Sequence, residues 1–489
     1  MKSKLHASVL AAALVGLLLV FSTACSVPLA PGYTVVQQQR EIQFVPGDSP
    51  QLHIQADFVL QNTGSTPLTF VDVKLPPEEE YGRSGAHAEI DGRDVALEPL
   101  PEEYRFDSPN SVRIPLDPPW NQGKKLRLRI DYTLSHPNDP GWHITLGANE
   151  FHLGSRGWSP ALQPPQHFLS PYPKRPQKMS YMVRVPVGFL VSARGELKGR
   201  KESQGEWIYT FALDKADLPP FVVAGKYEVS PPGADATGGR FWSSAPLQGD
   251  VAAAQKDLQQ SWDTMKTEFG PSDRGAAAPL IVESAELHEG DNVEDGVASG
   301  FPGGALVSPA LLAEGVDSRK FLDEVSLSLA HDWFGDEIYP PPFAAISMGQ
   351  GLPEYATIVM TQAREGEAGR RRRIAEYLAR YDAACKRGTE EPLGVVRPSD
   401  PAATKEIARA KAPLFYATLE DEYGETQVRA GLRQMVTLLR GQEAGINVLR
   451  SSLEQSTGKD LAEIFRVWLY QKGIPADFRA RYAAEAARP

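Results

Sequence analysis

His331 lies in the segment LSLAHDWFGD and is the first candidate for chemistry in this sequence, because a neutral imidazole is a good zinc ligand. Apolar residues recur with a helical period before it, which predicts a helix ending near residue 335. Glu324 lies on the same helix face as His331 but two turns away, about 10 Å at 1.5 Å per residue. Asp332 points about 100° around the helix. This helix therefore offers no second ligand for an ion at His331.

The other histidine of the C-terminal half is His288, in the acidic segment ESAELHEGDNVEDG. Oxygen-rich loops of this kind can bind calcium. Charged loops usually run over the protein surface without a metal, and an exposed loop is what we expect here. Calcium binding is the alternative.

The first 25 residues have the pattern of an export signal. Two lysines precede an unbroken apolar run from Val9 to Phe21, shorter than the roughly 20 residues that span a bilayer. Small residues then lead to Cys25 in an arrangement that resembles a bacterial lipobox, with Ser22 where leucine is usual. We expect a lipoprotein signal peptide over residues 1–25, lipidation of Cys25, and export to the extracytoplasmic face of the membrane. A plain secretory signal is the alternative.

Composition excludes some classes of protein and partner. The formal net charge of −11 argues against nucleic acid as a partner, because neutralising phosphates requires a concentrated basic face. The basic run over residues 370–373 opens a helical segment, and we expect it to be a solvated helix face. Cys25 and Cys385 are the only cysteines, so we expect no disulfide framework despite export.

The 489 residues are enough for two or three domains, and the sequence pattern changes along them. Residues 26–40 are low in charge and have no clear period, as in a tether. Residues 41–235 contain segments of alternating apolar residues between turn residues, the pattern of a β-sandwich. After the loop SPPGADATGGR the period becomes helical, and residues 245–489 are expected to form a mostly helical domain.

The order of these parts resembles the zinc aminopeptidases of the gluzincin clan, which include alanyl aminopeptidases and leukotriene hydrolase. The likeness covers most of the mature chain and rests on VVAGKYEV, a helix ending in FGP, AHDWFGD, GQGLPEY and WLYQKGIP. It implies a multidomain fold in which an N-terminal antiparallel β-sandwich precedes a thermolysin-like α+β domain that is mostly helical.

In that family the zinc helix carries His-Glu-x-x-His, and a glutamate nineteen residues after the second histidine is the third ligand. If His331 is the second histidine, the first ligand falls on Leu327, the general base on Ser328 and the third ligand on Gln350. Leu327 has no lone pair, Ser328 cannot hold a proton near neutral pH, and Gln350 offers only a neutral amide oxygen. Pro353 favours the first turn of a helix, which would place Gln350 at or before the helix start.

Two further family features are changed. The strand whose glutamate holds the substrate amino group falls on residues 299–309, which read SGFPGGALVSP without an acid. The tyrosine that stabilises the oxyanion falls on Arg409. Trp333 and Phe334, whose expected role is packing, are retained. His331 is expected to be a hydrogen-bonded core histidine.

The sequence therefore predicts that the fold is retained and that the residues of the catalytic centre are replaced. Ser328 and Arg409 are the degenerate catalytic positions, and Leu327, His331 and Gln350 the degenerate metal positions. The expected function is a lipid-anchored module that binds a peptide or a protein, with no cofactor. One alternative is a zinc-dependent aminopeptidase with atypical ligands, and another is a purely structural envelope component.

Overall fold

The computed structural model describes residues 32–482, except 101–109, 136–143, 155–156, 164–177, 214–220, 232–240, 272–277, 286, 288–297 and 441. The predicted signal peptide with Cys25 lies outside the described residues, and so does His288. Within the described part of the chain, no helix is both long enough and apolar enough to cross a bilayer.

The N-terminal half is a β-sandwich with one short helix. Its elements are β1 (Tyr33–Val45), β2 (Gln51–Asn62), β3 (Leu68–Lys74), α1 (Glu78–Tyr81), β4 (Ser84–Ile90), β5 (Arg93–Val95), β6 (Glu98–Pro99), β7 (Ser111–Trp120), β8 (Lys125–Ser135), β9 (Ile144–Leu146), β10 (Glu150–Leu153), β11 (Ala161–Gln163), β12 (Lys178–Pro186), β13 (Leu190–Ala193), β14 (Glu196–Ser203), β15 (Glu206–Leu213) and β16 (Val222–Gly225). An eight-stranded sheet has the order β14-β15-β12-β1-β2-β8-β4-β5. Two four-stranded sheets have the orders β13-β16-β10-β9 and β11-β3-β7-β6.

The core of the sandwich follows from the alternation of buried and exposed side chains along its strands. In β2 every second residue from Leu52 to Leu60 is buried, and these side chains meet residues of the smaller sheets in one apolar cluster. Phe44 of β1, for example, lies 5.2 Å from Phe151 of β10 between ring centroids. Neighbouring strands of the eight-stranded sheet are antiparallel, apart from the parallel pair β1 and β12.

Strand β1 corrects the predicted tether over residues 26–40, because the strand already begins at Tyr33. Its alternation is hidden in the sequence, since two of its inward positions are the polar residues Gln38 and Arg40. Arg40 is accommodated inside the sandwich. Its Nε–H donates to Ser159 Oγ at 2.7 Å, and its guanidinium lies 5.6 Å from the ring centroid of Trp158.

The second domain combines a mixed sheet with helices. Its strands are β17 (Glu228–Ser230), β18 (Phe241–Ser243), β19 (Leu280–Glu283), β20 (Ala298–Phe301) and β21 (Gly304–Val307), with a separate pair β22 (Ile338–Tyr339) and β23 (Gln442–Glu443). Its α-helices are α2 (Val251–Phe269), α3 (Pro309–Ala313), α4 (Arg319–Ala330), α5 (Gly351–Cys385), α6 (Ala402–Tyr423), α7 (Glu425–Leu438), α8 (Ile446–Thr457), α9 (Ala462–Tyr470) and α10 (Ala476–Tyr482). Between α4 and α5 lie two π-helices, Asp332–Glu337 and Ala345–Gln350, and the 3-10 helix Pro342–Ala344. The five-stranded sheet has the order β17-β18-β19-β21-β20.

This sheet also corrects the predicted domain boundary. Strands β17 and β18 lie before residue 245, but β18 pairs with β19 of the second domain and β17 pairs with β18. The sandwich therefore ends near β16 rather than at residue 235. Strands of three residues are too short to show a period, so the sequence pattern could not assign them.

Helix α5 reverses its direction at Gly366. Glu354 and Arg380 are 26 residues apart and would be separated by about 39 Å in a straight helix, yet their side chains are 3.0 Å apart. Gly366 has φ 71° and ψ −162°, a conformation that is essentially restricted to glycine. The two arms of α5 therefore form an antiparallel helical hairpin. Pro353 lies in the first turn of α5, as predicted.

The basic run over residues 370–373 is only in part a solvated face. Arg370 is 3% exposed, and it donates from Nη1 to Tyr482 Oη at 2.9 Å and from Nη2 to Asp421 Oδ1 at 2.8 Å. Arg371 is paired with Glu367 at the surface. The prediction is wrong for Arg370, because its partners come from α6 and α10.

The two domains share an apolar interface that includes the buried carboxylate of Glu150. Val223 of β16 lies in the same cluster as Trp242 and Phe301 of the second domain. Glu150 Oε1 accepts hydrogen bonds from Ser284 Oγ and from the backbone N–H of Ala285, both at 2.8 Å. These contacts hold β10 of the sandwich against the end of β19.

Candidate functional site

Helix α4 carries the first two positions assigned from the sequence and ends beside the third. Ser318 caps its start by accepting a hydrogen bond from the backbone N–H of Phe321 at 3.2 Å. Ala330 is its last residue, so His331 lies at the C-terminal cap. Ser328 is buried, whereas Leu327 and His331 are partly exposed.

Aromatic residues hold the turn that follows α4. The Trp333 Nε1–H donates to the carbonyl oxygen of Gly270 at 2.9 Å, and the ring meets Trp262 edge-on at 4.9 Å between centroids. The ring of Phe334 lies 5.2 Å from that of Phe269. Both residues are buried, in agreement with the packing role expected for them. Helix α2 therefore sets the position of His331.

Strand β20 approaches α4 closely at Gly300. A Cβ at this position would lie 2.2 Å from the carbonyl oxygen of Ser328 and 3.4 Å from the Cβ of His331, so only glycine allows this approach. The acid-free segment 299–309 therefore covers β20, which borders His331, and the adjoining strand β21. β20 is also the last strand of its sheet, antiparallel to β21.

The start of α5 brings a carboxylate into this region. Gln350, the predicted third metal position, is the last residue of a π-helix (Ala345–Gln350) that leads directly into α5, and it is partly exposed. One turn further, Glu354 is only 1% exposed. Its Oε2 accepts a hydrogen bond from Tyr377 Oη at 2.5 Å, and its Oε1 accepts one from Arg380 Nη1 at 3.0 Å.

Arg409 reaches the same carboxylate from α6. Its Nη2 lies 3.7 Å from Glu354 Oε1. Arg380 is held in place by Glu406, to which its Nε and Nη2 donate at 2.6 and 3.1 Å. The fold thus brings Arg409, which the sequence analysis singled out, together with Glu354 and Arg380, which it did not.

The protonation states follow from these neighbours. Burial would raise the pKa of Glu354, but the charges of Arg380 and Arg409 outweigh burial and lower it. Burial, followed by the charge of Arg409, lowers the pKa of His331 to about 4, although Glu354 opposes the shift. Burial and then the charge of Glu354 raise the pKa of Glu324. At pH 7 Glu354 is therefore a carboxylate and His331 a neutral imidazole.

Metal-ligating side chains do not converge on His331 in the described part of the chain. Among those residues, the group of three His, Cys, Asp or Glu whose ligand atoms lie within 4.8 Å of one another is His87, Glu89 and Asp94, on β4 and β5. Neither Glu324 nor Glu354 forms such a group with His331.

Sequence reasoning missed Glu354, Tyr377 and Arg380. The signal for Glu354 was an acid flanked by apolar residues in GLPEYATIVM, since a carboxylate there must be buried with a partner. The signal for Tyr377 and Arg380 was weaker, because their contact with Glu354 depends on the reversal at Gly366.

No protein-family model matches this chain, and no curated protein matches it. Solved structures do match it. The M1 zinc metallopeptidase of Deinococcus radiodurans has a TM-score of 0.63 and 18% identity, over 91% of this chain and 95% of that chain. A mutant of that enzyme bound to a Tyr-Ser-Ala substrate has a TM-score of 0.62 at 18% identity, with the same coverage. A mutant two-domain M1 zinc metallopeptidase bound to L-tryptophan has a TM-score of 0.65 at 18% identity, over 91% of this chain and 96% of that chain.

At this level of identity the likeness establishes the fold. The predicted fold class, an N-terminal β-sandwich followed by a mostly helical peptidase-like domain, is confirmed.

Proposed function

We propose that this chain is a non-catalytic protein that binds a peptide or an extended protein segment with an aminopeptidase fold. We propose further that lipid on Cys25 holds it at the extracytoplasmic face of a membrane. The observation that supports the non-catalytic role is the buried carboxylate of Glu354, which is already neutralised by Arg380 and Arg409 and whose charge also acts on His331.

Zinc does not fit the side chains around His331. Catalytic zinc sites use three protein ligands, and the chain offers Leu327 and Gln350 where the other two would be. Ser328 replaces the general base. A metal beside His331 would also be repelled by the guanidinium of Arg409, whose charge lowers the pKa of this imidazole. One imidazole is a poor competitor for scarce zinc, because the binding free energy of a structural site is spread over four ligands.

Strand β20 supports peptide binding. Within the described residues its hydrogen-bonded neighbour is β21, so the other edge of its backbone can receive an added strand. Extended peptides bind exposed sheet edges through main-chain hydrogen bonds, which need no catalytic residue. A structural neighbour is described with a bound Tyr-Ser-Ala peptide, which fits the same ligand class.

A zinc-dependent aminopeptidase with atypical ligands is the second candidate. The observation that favours it is the low pKa of His331, because the neutral imidazole is the form that coordinates metal. It would have to recruit ligands other than Leu327 and Gln350.

Metal analysis with an activity assay separates the two candidates. The protein purified without chelator should hydrolyse no aminoacyl reporter substrate, and His331→Ala should leave its zinc content unchanged. Stoichiometric zinc that is lost in His331→Ala, together with hydrolysis that a chelator abolishes, would establish the peptidase instead.

Photo-crosslinking tests the peptide site directly. A photo-crosslinking amino acid at Ser299, in β20, should capture peptides from a defined random pentapeptide library. The same group at Ser203, in the edge strand β14 of the sandwich, is the matched control and should capture none. Equal capture at both edges would contradict a specific site at β20.

A further inference from the structure

We infer that the outer face of the β-sandwich carries a binding site for a divalent transition metal, with His87, Glu89 and Asp94 as ligands. This site is separate from the region of His331, and nothing in the proposed function depends on it. It rests on the register of three strands, on a mixed set of nitrogen and oxygen donors, and on the local balance of charge.

The pleat of the sheet places the three side chains together. Ala88 of β4 faces the core, so His87 and Glu89 on either side of it point to solvent. Asp94 of β5 lies directly opposite Glu89. The ligand atoms of the three residues lie within 4.8 Å of one another, and His87 Nε2 is 3.2 Å from Asp94 Oδ1.

These distances are close to what zinc requires. Zinc–nitrogen and zinc–oxygen bonds of about 2.0–2.2 Å put neighbouring ligand atoms roughly 3.4 Å apart in a tetrahedron. The side chains of His87 and Asp94 are exposed and can close this gap by small rotations, while β4 and β5 hold their backbones in register. Water would complete the coordination.

Asp131 of β8 lies on the Nδ1 side of the histidine ring. It pairs with His87 across the sheet, and its Oδ2 lies 4.0 Å from His87 Nδ1. A histidine that binds metal through one nitrogen usually donates from the other to a carboxylate or carbonyl, which fixes the ring. Asp94 lies at Nε2, whereas Asp131 is beyond hydrogen-bond distance of Nδ1 and would have to move closer by roughly 1 Å to accept from it.

Acidic side chains predominate immediately around His87. Three carboxylates surround His87, and the nearby cation is Arg129, which donates to Asp57 at 2.9 Å and lies 3.8 Å from Glu89. The negative charges of Glu89, Asp94 and Asp131 repel one another at these distances. A divalent cation would relieve this repulsion.

The nitrogen donor selects the class of metal. Calcium and magnesium prefer sites made only of oxygen ligands, whereas imidazole favours zinc and its neighbours in the first transition row. The inferred ligand is therefore zinc or a similar ion rather than calcium.

Isothermal titration of the purified, chelator-stripped protein with Zn²⁺ tests the inference. One site should be detected. His87→Ala should weaken it by at least the roughly 10–100-fold that loss of a supporting second-shell residue costs, and Asp94→Asn should also weaken it. His53→Ala is the matched control, because His53 lies on the same exposed face and bonds Thr133 Oγ1 at 2.9 Å. It should bind zinc like the wild type.

A second control separates this site from the region of His331. His331→Ala should leave the titration unchanged. If zinc binding is lost in His331→Ala and in none of the other variants, both the proposed function and this inference are contradicted. No zinc binding, or zinc binding that survives His87→Ala, overturns the inference. Equal affinity for Zn²⁺ and Ca²⁺ would also overturn it, because that result indicates a general acidic surface.

Discussion

At the scale of single residues, the candidate site is built around the buried carboxylate of Glu354. Glu354 receives Tyr377, Arg380 and Arg409 from two helices. Removing one partner of a buried ion pair costs more than the pair contributes, because the remaining charge keeps its desolvation penalty. These contacts should therefore be visible in stability measurements.

Glu354→Gln should lower the free energy of unfolding by about 3 kcal/mol, because Arg380 and Arg409 lose a buried countercharge. Urea unfolding followed by tryptophan fluorescence measures this change. Glu463→Gln is the control, since Glu463 pairs with Arg466 at the surface and should leave the unfolding midpoint unchanged. Equal midpoints for wild type and Glu354→Gln would show that the buried pair is not maintained.

His331 should make stability depend on pH. Its folded pKa of about 4 is below the ordinary value of 6.5, so the unfolded chain takes up a proton first as the pH falls. Stability should therefore decrease between pH 7 and pH 5, by about 2 kcal/mol from this residue alone. His331→Gln should remove that part of the decrease in urea unfolding at the two pH values. His53→Gln, at an exposed position, should keep the wild-type dependence.

At the scale of secondary-structure elements, the reversal of α5 assembles the site. Glu354 lies in the first arm, Tyr377 and Arg380 lie in the second, and Gly366 joins the arms. Helix α4 is positioned separately, through Trp333 and the close approach of β20. Both arrangements depend on a glycine, at positions 366 and 300.

Gly366→Ala should destabilise the second domain by about 1–3 kcal/mol, because a Cβ is poorly tolerated at this φ and ψ. Thermal unfolding and hydrogen exchange over α5 measure the effect. Gly199→Ala in β14 is the matched control, since its added Cβ meets no atom within 4 Å. An unchanged melting temperature in Gly366→Ala would mean that the turn has another stable conformation.

The assignment of the metal positions to residues 327, 331 and 350 can be tested by restoring the metal ligands. A variant with Leu327→His, Ser328→Glu and Gln350→Glu should gain zinc, and Arg409→Tyr in the same chain should strengthen binding by removing the nearby positive charge. Elemental analysis after dialysis measures the gain, with Leu327→His alone as the control. If the folded fourfold variant binds no more zinc than the parent, the alignment at His331 is wrong.

At the scale of the whole molecule, β1 separates the predicted anchor from the second domain. The strand starts at Tyr33, so Cys25 lies within about 29 Å of it even in a fully extended chain. Thirteen residues of strand then cover roughly 40 Å. After β1, the backbone N–H of Gly47 donates to the carbonyl oxygen of Ala148, which lies just before Glu150 at the domain interface. A lipid on Cys25 would thus leave the second domain at the far end of the sandwich from the membrane.

Cys25→Ser should abolish metabolic labelling with palmitate and leave either uncleaved precursor or released protein. Burial of each methylene in the membrane contributes about 0.8 kcal/mol, so two or more acyl chains bind the protein stably to the membrane, and the variant has none. Cys385→Ser is the control and should label like the wild type. Recovery of unlabelled, soluble wild-type protein that starts at another residue would indicate an ordinary secretory signal.

The sequence alone determined the features that depend on local pattern. Alternation in β2, the capping serine of α4 and Pro353 in the first turn of α5 are properties of neighbouring residues, so they can be recognised without the fold. The same holds for the residue types at positions 327, 328, 331 and 350, which a fixed spacing relates to one motif.

Only the tertiary structure decided which polar residues are buried and with which partners. The inward positions of Gln38 and Arg40 in β1, the burial of Arg370, and the pairing of Glu354 with Arg380 all involve residues far apart in the chain. The local sequence pattern around a charged residue is the same whether its side chain is solvated or is paired with an oppositely charged residue of another helix. The burial of a charge is settled by that partner, and the partner becomes known only when the chain has folded.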